Sequence, residues 1–192
     1  KLSKLCIAAF VGFQSLFLLE FVLYMTNYQY HFPHTYRMST AAALLFGPLL
    51  FFYFKSVLQD YKFKMMDVLH FLPTILLLIY IFPLYVSSVE YKLQMMLELH
   101  PEANKYDTII FISKIISLVV YTFFISKLIL FNKKDSKGNI DKPLALKWKK
   151  NIFKIHVVFV VSYVLYGISV FGILGEISGF IYHFQIGVMA TM

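Results

Sequence analysis

One stretch constrains this chain more than any other. Residues 47–58 read Gly-Pro-Leu-Leu-Phe-Phe-Tyr-Phe-Lys-Ser-Val-Leu, residues 59–66 carry Asp60, Lys62 and Lys64, and residues 67–73 resume as Asp-Val-Leu-His-Phe-Leu-Pro. Two apolar segments therefore meet at one short charged turn. Runs of this kind suit helices that cross a bilayer, which take about 20 apolar residues each. Lys55, Lys62 and Lys64 gather at the turn, and because cytoplasmic loops of membrane proteins carry the excess of Lys and Arg, the turn is assigned to the cytoplasm.

Composition supports the same class. With 59% hydrophobic, 19% aromatic and only 15% charged residues, 192 residues are too apolar for a soluble domain. The expected fold is all-α: a polytopic membrane helix bundle of about six transmembrane helices, at residues 5–26, 38–58, 67–86, 108–131, 150–174 and 176–192. The whole of 1–192 is read as a single transmembrane domain. It opens at Lys1 without a methionine and stops at Met192 inside an apolar segment, so both ends are expected to be cuts in a longer protein. The first apolar run is long enough to span and has no small-residue cleavage site after it, so it is expected to stay in the mature protein. Cys6, the single cysteine, has no disulfide partner and reads as a small apolar filler.

Counting Lys and Arg on alternate sides of six such helices puts fourteen on the side of the 55–64 turn and four, Arg37, Lys92, Lys105 and Lys114, on the other. Both ends of the chain then face the cytoplasm. The outer loop 27–37 is rich in Tyr and His, as suits a membrane interface; Pro33 disfavours a helix that would align His31 and His34 on one metal. The longer outer loop 87–107 has Leu93, Met96, Leu97 and His100 at helical spacing, which fits a short helix lying on the membrane or capping the bundle. Its charges, among them Glu90, Lys92, Glu98 and Glu102, read as solvated. The inner loop 132–154 holds eight Lys and two Asp and serves as a topology determinant, with Trp148 at the interface. The fifth expected helix ends at Gly172 and Gly175, and Gly175-Glu176-Ile177-Ser178-Gly179 has the spacing of a close helix–helix approach, though at the turn between the last two helices it reads first as turn chemistry.

Gly47-Pro48 lies about ten residues from the outer end of the second expected helix. A proline there removes a backbone donor and leaves the Leu44 carbonyl unpaired, so a kink near the bilayer centre is expected, either as a hinge or as a static bend.

Polar groups in a bilayer need partners. Glu20, Lys114 and His183 fall at a similar depth, roughly 9–10 Å below the outer edge at a rise of 1.5 Å per residue, and Gln14 and Gln185 fall deeper. Two readings stand for these five residues. One is a ligand pocket open to the outside, in which Lys114 would meet an anionic group; the other is a structural ion pair with Lys114 snorkelling outward. No metalloprotease, nucleophile-elbow or phosphate-loop motif occurs, and no paired metal ligands, so neither an enzymatic activity, a metal nor a cofactor is expected. His70 and His156 sit near the inner face and read as core or interfacial histidines.

The run from Gly47 to Ser56, followed by a basic loop and Leu69-His70-Phe71-Leu72-Pro73, resembles the membrane-embedded sensor region of AraC-type bacterial transcription regulators. The pattern of helices covers almost the whole chain, with Trp148 opening a late helix after a Lys-rich loop, and only residues 47–73 are specific in wording. The resemblance implies a signal-sensing domain of a one-component regulator in the cytoplasmic (inner) membrane. An unknown small-molecule or lipid signal would be coupled to a helix-turn-helix DNA-binding domain beyond residue 192, so that DNA is a partner only through a domain outside this chain; a homodimer is compatible with it. The alternative is a small multi-helix transporter, which calls for repeated halves with interrupted helices at matching places, and a single Gly-Pro break has no counterpart here. An intramembrane enzyme is a third class, and the missing motifs argue against it.

Overall fold

The computed structural model describes residues 2–59, 61–99, 105–132, 143–170, 184 and 186–188, and among them every regular element is a helix. The α-helices are α1 (Leu2–Met25), α2 (Phe46–Gln59), α3 (Leu72–Val86), α4 (Val89–Met96), α5 (Lys105–Asn132) and α6 (Pro143–Val170), with short 3-10 segments before α2 and α3 and in the loop after α1. Among the described residues four stretches are long and apolar enough to cross a membrane: Leu2–Met25, Ala42–Gln59, Met65–Val86 and Thr108–Leu130. These correspond to the first four expected spans. The fifth corresponds to α6, whose apolar part runs over Asn151–Leu165. The sixth falls almost wholly outside the described residues.

α2 is the centre of the bundle, and its composition explains why. Phe46, Leu49, Leu50, Phe52 and Phe54 are all buried, and 56% of the Ala42–Gln59 span is enclosed by protein, against 17% for α1 and 22% for the spans of α3 and α5. The outer helices are apolar all round yet largely uncovered, the pattern of helices whose outward faces meet lipid. α1 buries Cys6, Phe10 and Gln14, one stripe at four-residue spacing, against α2. On the opposite side Leu118, Tyr121 and Ile125 of α5 form a second such stripe. Phe10, Phe46, Leu50, Phe54, Leu118, Ile125 and Phe159 make one core joining α1, α2, α5 and α6, and Ala41, Leu44, Leu77, Ile81, Leu84, Met95 and Ile110 make a second that ties α3 and α4 to it.

The expected helix over 38–58 is not continuous. Residues Ala42–Leu45 form a 3-10 turn, and the α-helix begins at Phe46, so Pro48 stands in its first turn rather than in its interior. The first four N–H groups of an α-helix have no partner within it, so the proline costs little there. The chain changes helix type just ahead of the proline. Gly47 has a packing role: a β-carbon on it would stand 2.6 Å from Cδ2 of Tyr121 on α5.

Below α2, the turn that carries the basic charges is closed by Asp67. Its carboxylate accepts from the Lys64 N–H at 2.7 Å and the Tyr61 hydroxyl at 2.9 Å, while the Asp67 N–H donates to the Lys64 carbonyl. Burial and this carboxylate raise the Tyr61 hydroxyl above the ordinary phenol range. The Lys55 ammonium lies 3.7 Å from the centre of the Tyr61 ring. The turn is short because its charges and rings satisfy one another.

A charged cavity at the far end of the bundle

At the end of the bundle opposite this turn, the last turns of α1, the 3-10 loop, the end of α4 and the first half of α5 surround a cavity of about 340 Å³. That volume lies at the small end of ligand pockets, roughly 300–1,000 Å³. The α1 stripe continues into it: Phe17, Glu20, Phe21 and Tyr24 follow Gln14 along the same face and form one wall. Lys114 of α5 forms another. Glu20 and Lys114, placed at equal depth by the sequence, therefore line one space. Gln14 is buried beneath it on α1 and is not among the lining residues. His183 and Gln185 lie outside the described residues.

Glu20 is held by a residue the sequence reading passed over. The Ser39 N–H donates to Glu20 Oε2 at 2.8 Å and the Ser39 hydroxyl donates to the same oxygen in a short hydrogen bond. Both donors come from one buried serine, so the carboxylate is fixed in orientation and charge-assisted hydrogen bonds supply the fixing. A Ser-Thr pair just ahead of an apolar run, at 39–40, was the available signal.

Two more charges line the cavity, Arg37 and Glu98. Both adopt the left-handed backbone conformation, with φ of 59° and 57°, which residues with a β-carbon seldom enter. The Arg37 carbonyl accepts from the Tyr85 hydroxyl at 2.9 Å, and its guanidinium lies 5.1 Å from the centre of the Tyr36 ring. Glu98 ends α4 in the position where glycine is the usual choice: its N–H donates to the Met95 carbonyl and the Leu99 N–H reaches back to the Gln94 carbonyl. Such outliers cluster where surrounding structure over-determines them, and binding sites are among those places.

α4 caps the cavity with Met95, Met96 and Glu98. It also corrects the reading of Lys92 as a solvated loop charge: Lys92 is only 1% exposed. Its ammonium stands 2.9 Å from His34 Nδ1 and 2.8 Å from the Tyr85 carbonyl, which it reaches because α4 packs on the 3-10 turn Pro33–Thr35. A lysine three and four residues from two methionines, at helical spacing, gives no sequence sign of an inward-facing ammonium.

Away from the cavity, His156 of α6 contacts the Thr122 hydroxyl of α5 at 3.0 Å, and that hydroxyl donates to the Leu118 carbonyl, so the histidine serves as a buried link between two helices. Among the described residues no group of three His, Cys, Asp or Glu side chains could hold a metal ion. No protein-family model, curated protein or solved structure matches the chain.

Proposed function

We propose that this chain is a membrane-embedded receptor domain that takes a small ligand into the cavity between Glu20 and Lys114. The observation that carries the reading is the convergence of two carboxylates and two cations, Glu20, Glu98, Arg37 and Lys114, on one half-open cavity walled by Phe17, Phe21 and the α4 methionines. Charges below the edge of a bilayer call for partners, and mixed charge over apolar walls is the make-up of a site for a molecule with both polar and apolar parts. On the Lys and Arg count the cavity faces the outside, away from the basic turn. The resemblance of residues 47–73 extends the reading: the domain is the signal-sensing part of a one-component AraC-type transcription regulator, with the DNA-binding part outside this chain. A ligand would act by preferring one arrangement of α1, α4 and α5 over another.

The test is capture. The chain is purified from membranes into lipid nanodiscs and its retained small molecules are compared by mass spectrometry with those of Glu20→Gln and Lys114→Met. A compound held by the unsubstituted chain and lost from both variants supports the receptor. Folded protein that retains nothing dependent on either residue, and that no compound in a metabolite panel stabilises, overturns it.

A further inference from the structure

The linkage between α4 and the rest of the bundle has a chemical peculiarity. With Lys92 as an ammonium, which has three N–H donors and no acceptor, His34 Nδ1 at 2.9 Å is the acceptor of the pair, an arrangement that a neutral ring with its hydrogen on Nε2 provides. The second acceptor is the Tyr85 carbonyl, also neutral. Lys92 is sealed from solvent, whereas His34 is exposed and open to protons. Protonation would turn Nδ1 into a donor and set an imidazolium against the ammonium.

The other charged and titratable groups here leave that conflict in place. Tyr85 of α3 turns its hydroxyl to the Arg37 carbonyl and lies in the field of Glu20 from α1 and of Arg37. His31 shares the loop with His34 and stands against Tyr28. Glu90 and Glu98 of α4 are exposed, and Lys114 faces the cavity from α5.

α4 depends on its tertiary contacts, this linkage among them, because it is only 8 residues long, well short of the roughly 12–15 that let a helix persist alone in water. Its anchors are Lys92 and Met95, each 1% exposed. The residues just after Lys92 on the same helix, Met95, Met96 and Glu98, form the cap of the cavity. We propose that Lys92 and His34 form a pH-sensitive latch that holds α4 over the cavity and releases it when His34 takes up a proton. The regulatory meaning rests on the reading of the cavity as a binding site; the latch itself does not. In sign, the latch is closed at the higher pH, where His34 accepts, and opens as pH falls.

Hydrogen exchange tests it on the full chain in lipid nanodiscs without any ligand, at about pH 8 and about pH 5, the interval over which histidine changes charge. The controls are His34→Gln, whose side-chain oxygen accepts from Lys92 but takes no proton, and Lys92→Met, which removes the ammonium. Dividing the exchange of α4 amides by that of His34→Gln at the same pH removes the intrinsic pH dependence of exchange. Expected is a ratio near one at pH 8 and about tenfold faster exchange in the unsubstituted chain at pH 5, the scale of one hydrogen bond to a charged group, with α2 amides unchanged. Lys92→Met should show the same corrected α4 exchange at both pH values. A ratio near one at both pH values, or Lys92→Met retaining the acid response, overturns the latch. Since no ligand enters the measurement, that result leaves the receptor reading standing, and a failed capture of ligand leaves the latch standing.

Discussion

Gly47 of α2 and Tyr121 of α5 share one space: a β-carbon on Gly47 would lie 2.6 Å from Cδ2, 2.8 Å from Cγ and 2.9 Å from Cβ of the tyrosine. The same tyrosine has its hydroxyl 2.8 Å from His70 Nδ1, and the Phe51 ring centre stands 6.1 Å from its own. Three residues of the stretch 47–73 thus converge on one side chain that follows His70 by 51 positions. The two apolar segments flanking the charged turn are joined to each other through α5 as well as through the turn itself.

Gly47→Ala should therefore destabilise the bundle. The atoms in the way are the root of the Tyr121 side chain rather than a flexible end, so α2 and α5 must separate, and overpacking of this kind costs about 1–3 kcal/mol. Gly12 gives the matching control, since a β-carbon there meets nothing within 4 Å. Gly12→Ala in the interior of α1 should instead stabilise by about 0.5–1 kcal/mol. Thermal unfolding in one detergent should move in opposite directions for the two variants; movement in the same direction would reject the close approach of α2 and α5.

Pro48→Ala should have little effect, below about 1 kcal/mol, because its place in the first turn of α2 costs no intrahelical hydrogen bond. A proline in a helix interior costs about 3 kcal/mol. A stabilisation of that larger size on substitution would show that Pro48 interrupts a longer helix and would favour a hinge at this position.

Four of the helices were legible in the sequence because they lie on apolar runs of spanning length, and equal depth along such runs was enough to bring Glu20 and Lys114 to one cavity. Depth follows from residue count at a fixed rise. The rest of the site was not legible, for a physical reason: Arg37, Ser39 and Lys92 come from a loop and a short helix whose paths depend on tertiary contacts. Lys92 turns inward because His34 and the Tyr85 carbonyl accept from it, and neither partner is near it in helical spacing. The helix around Gly47-Pro48 shows the same limit. A proline in an apolar run announces a disturbance, but that the α-helix starts only at Phe46 depends on how the Ala42–Leu45 turn packs against α3 and α5.

The Lys and Arg distribution predicts that the turn after α2 and both ends of the chain are cytoplasmic. Reporter fusions at Lys137 and Asn104 should give a cytoplasmic signal at the first and an external one at the second. An external signal at Lys137 would reverse the bundle, turn the cavity inward and remove the sensing of outside signals from the proposed function.

Glu20 and Lys114 should be energetically coupled. They border one cavity of about 340 Å³, where neither is fully exposed to water. Glu20→Gln leaves the two Ser39 donors in place but removes the negative charge; Lys114→Met removes the positive one. If the charges stabilise each other, each single change leaves the other charge less well compensated, and the double change should cost less than the sum, with an interaction energy of about 0.5–3 kcal/mol as found for residues in one network. Ser39→Ala separates this effect from the positioning of the carboxylate: it should cost about 1.5–3 kcal/mol, the scale of hydrogen bonds to a charged group, and that cost should fall to about 0.5–1.5 kcal/mol in the Glu20→Gln background, where the amide oxygen accepts only a neutral hydrogen bond. Unfolding free energies in a single detergent give all of these values. Strict additivity of Glu20→Gln with Lys114→Met would show that the two charges are solvated independently within the cavity, and an undiminished Ser39→Ala cost without the carboxylate would assign Ser39 to the backbone turn instead of to Glu20.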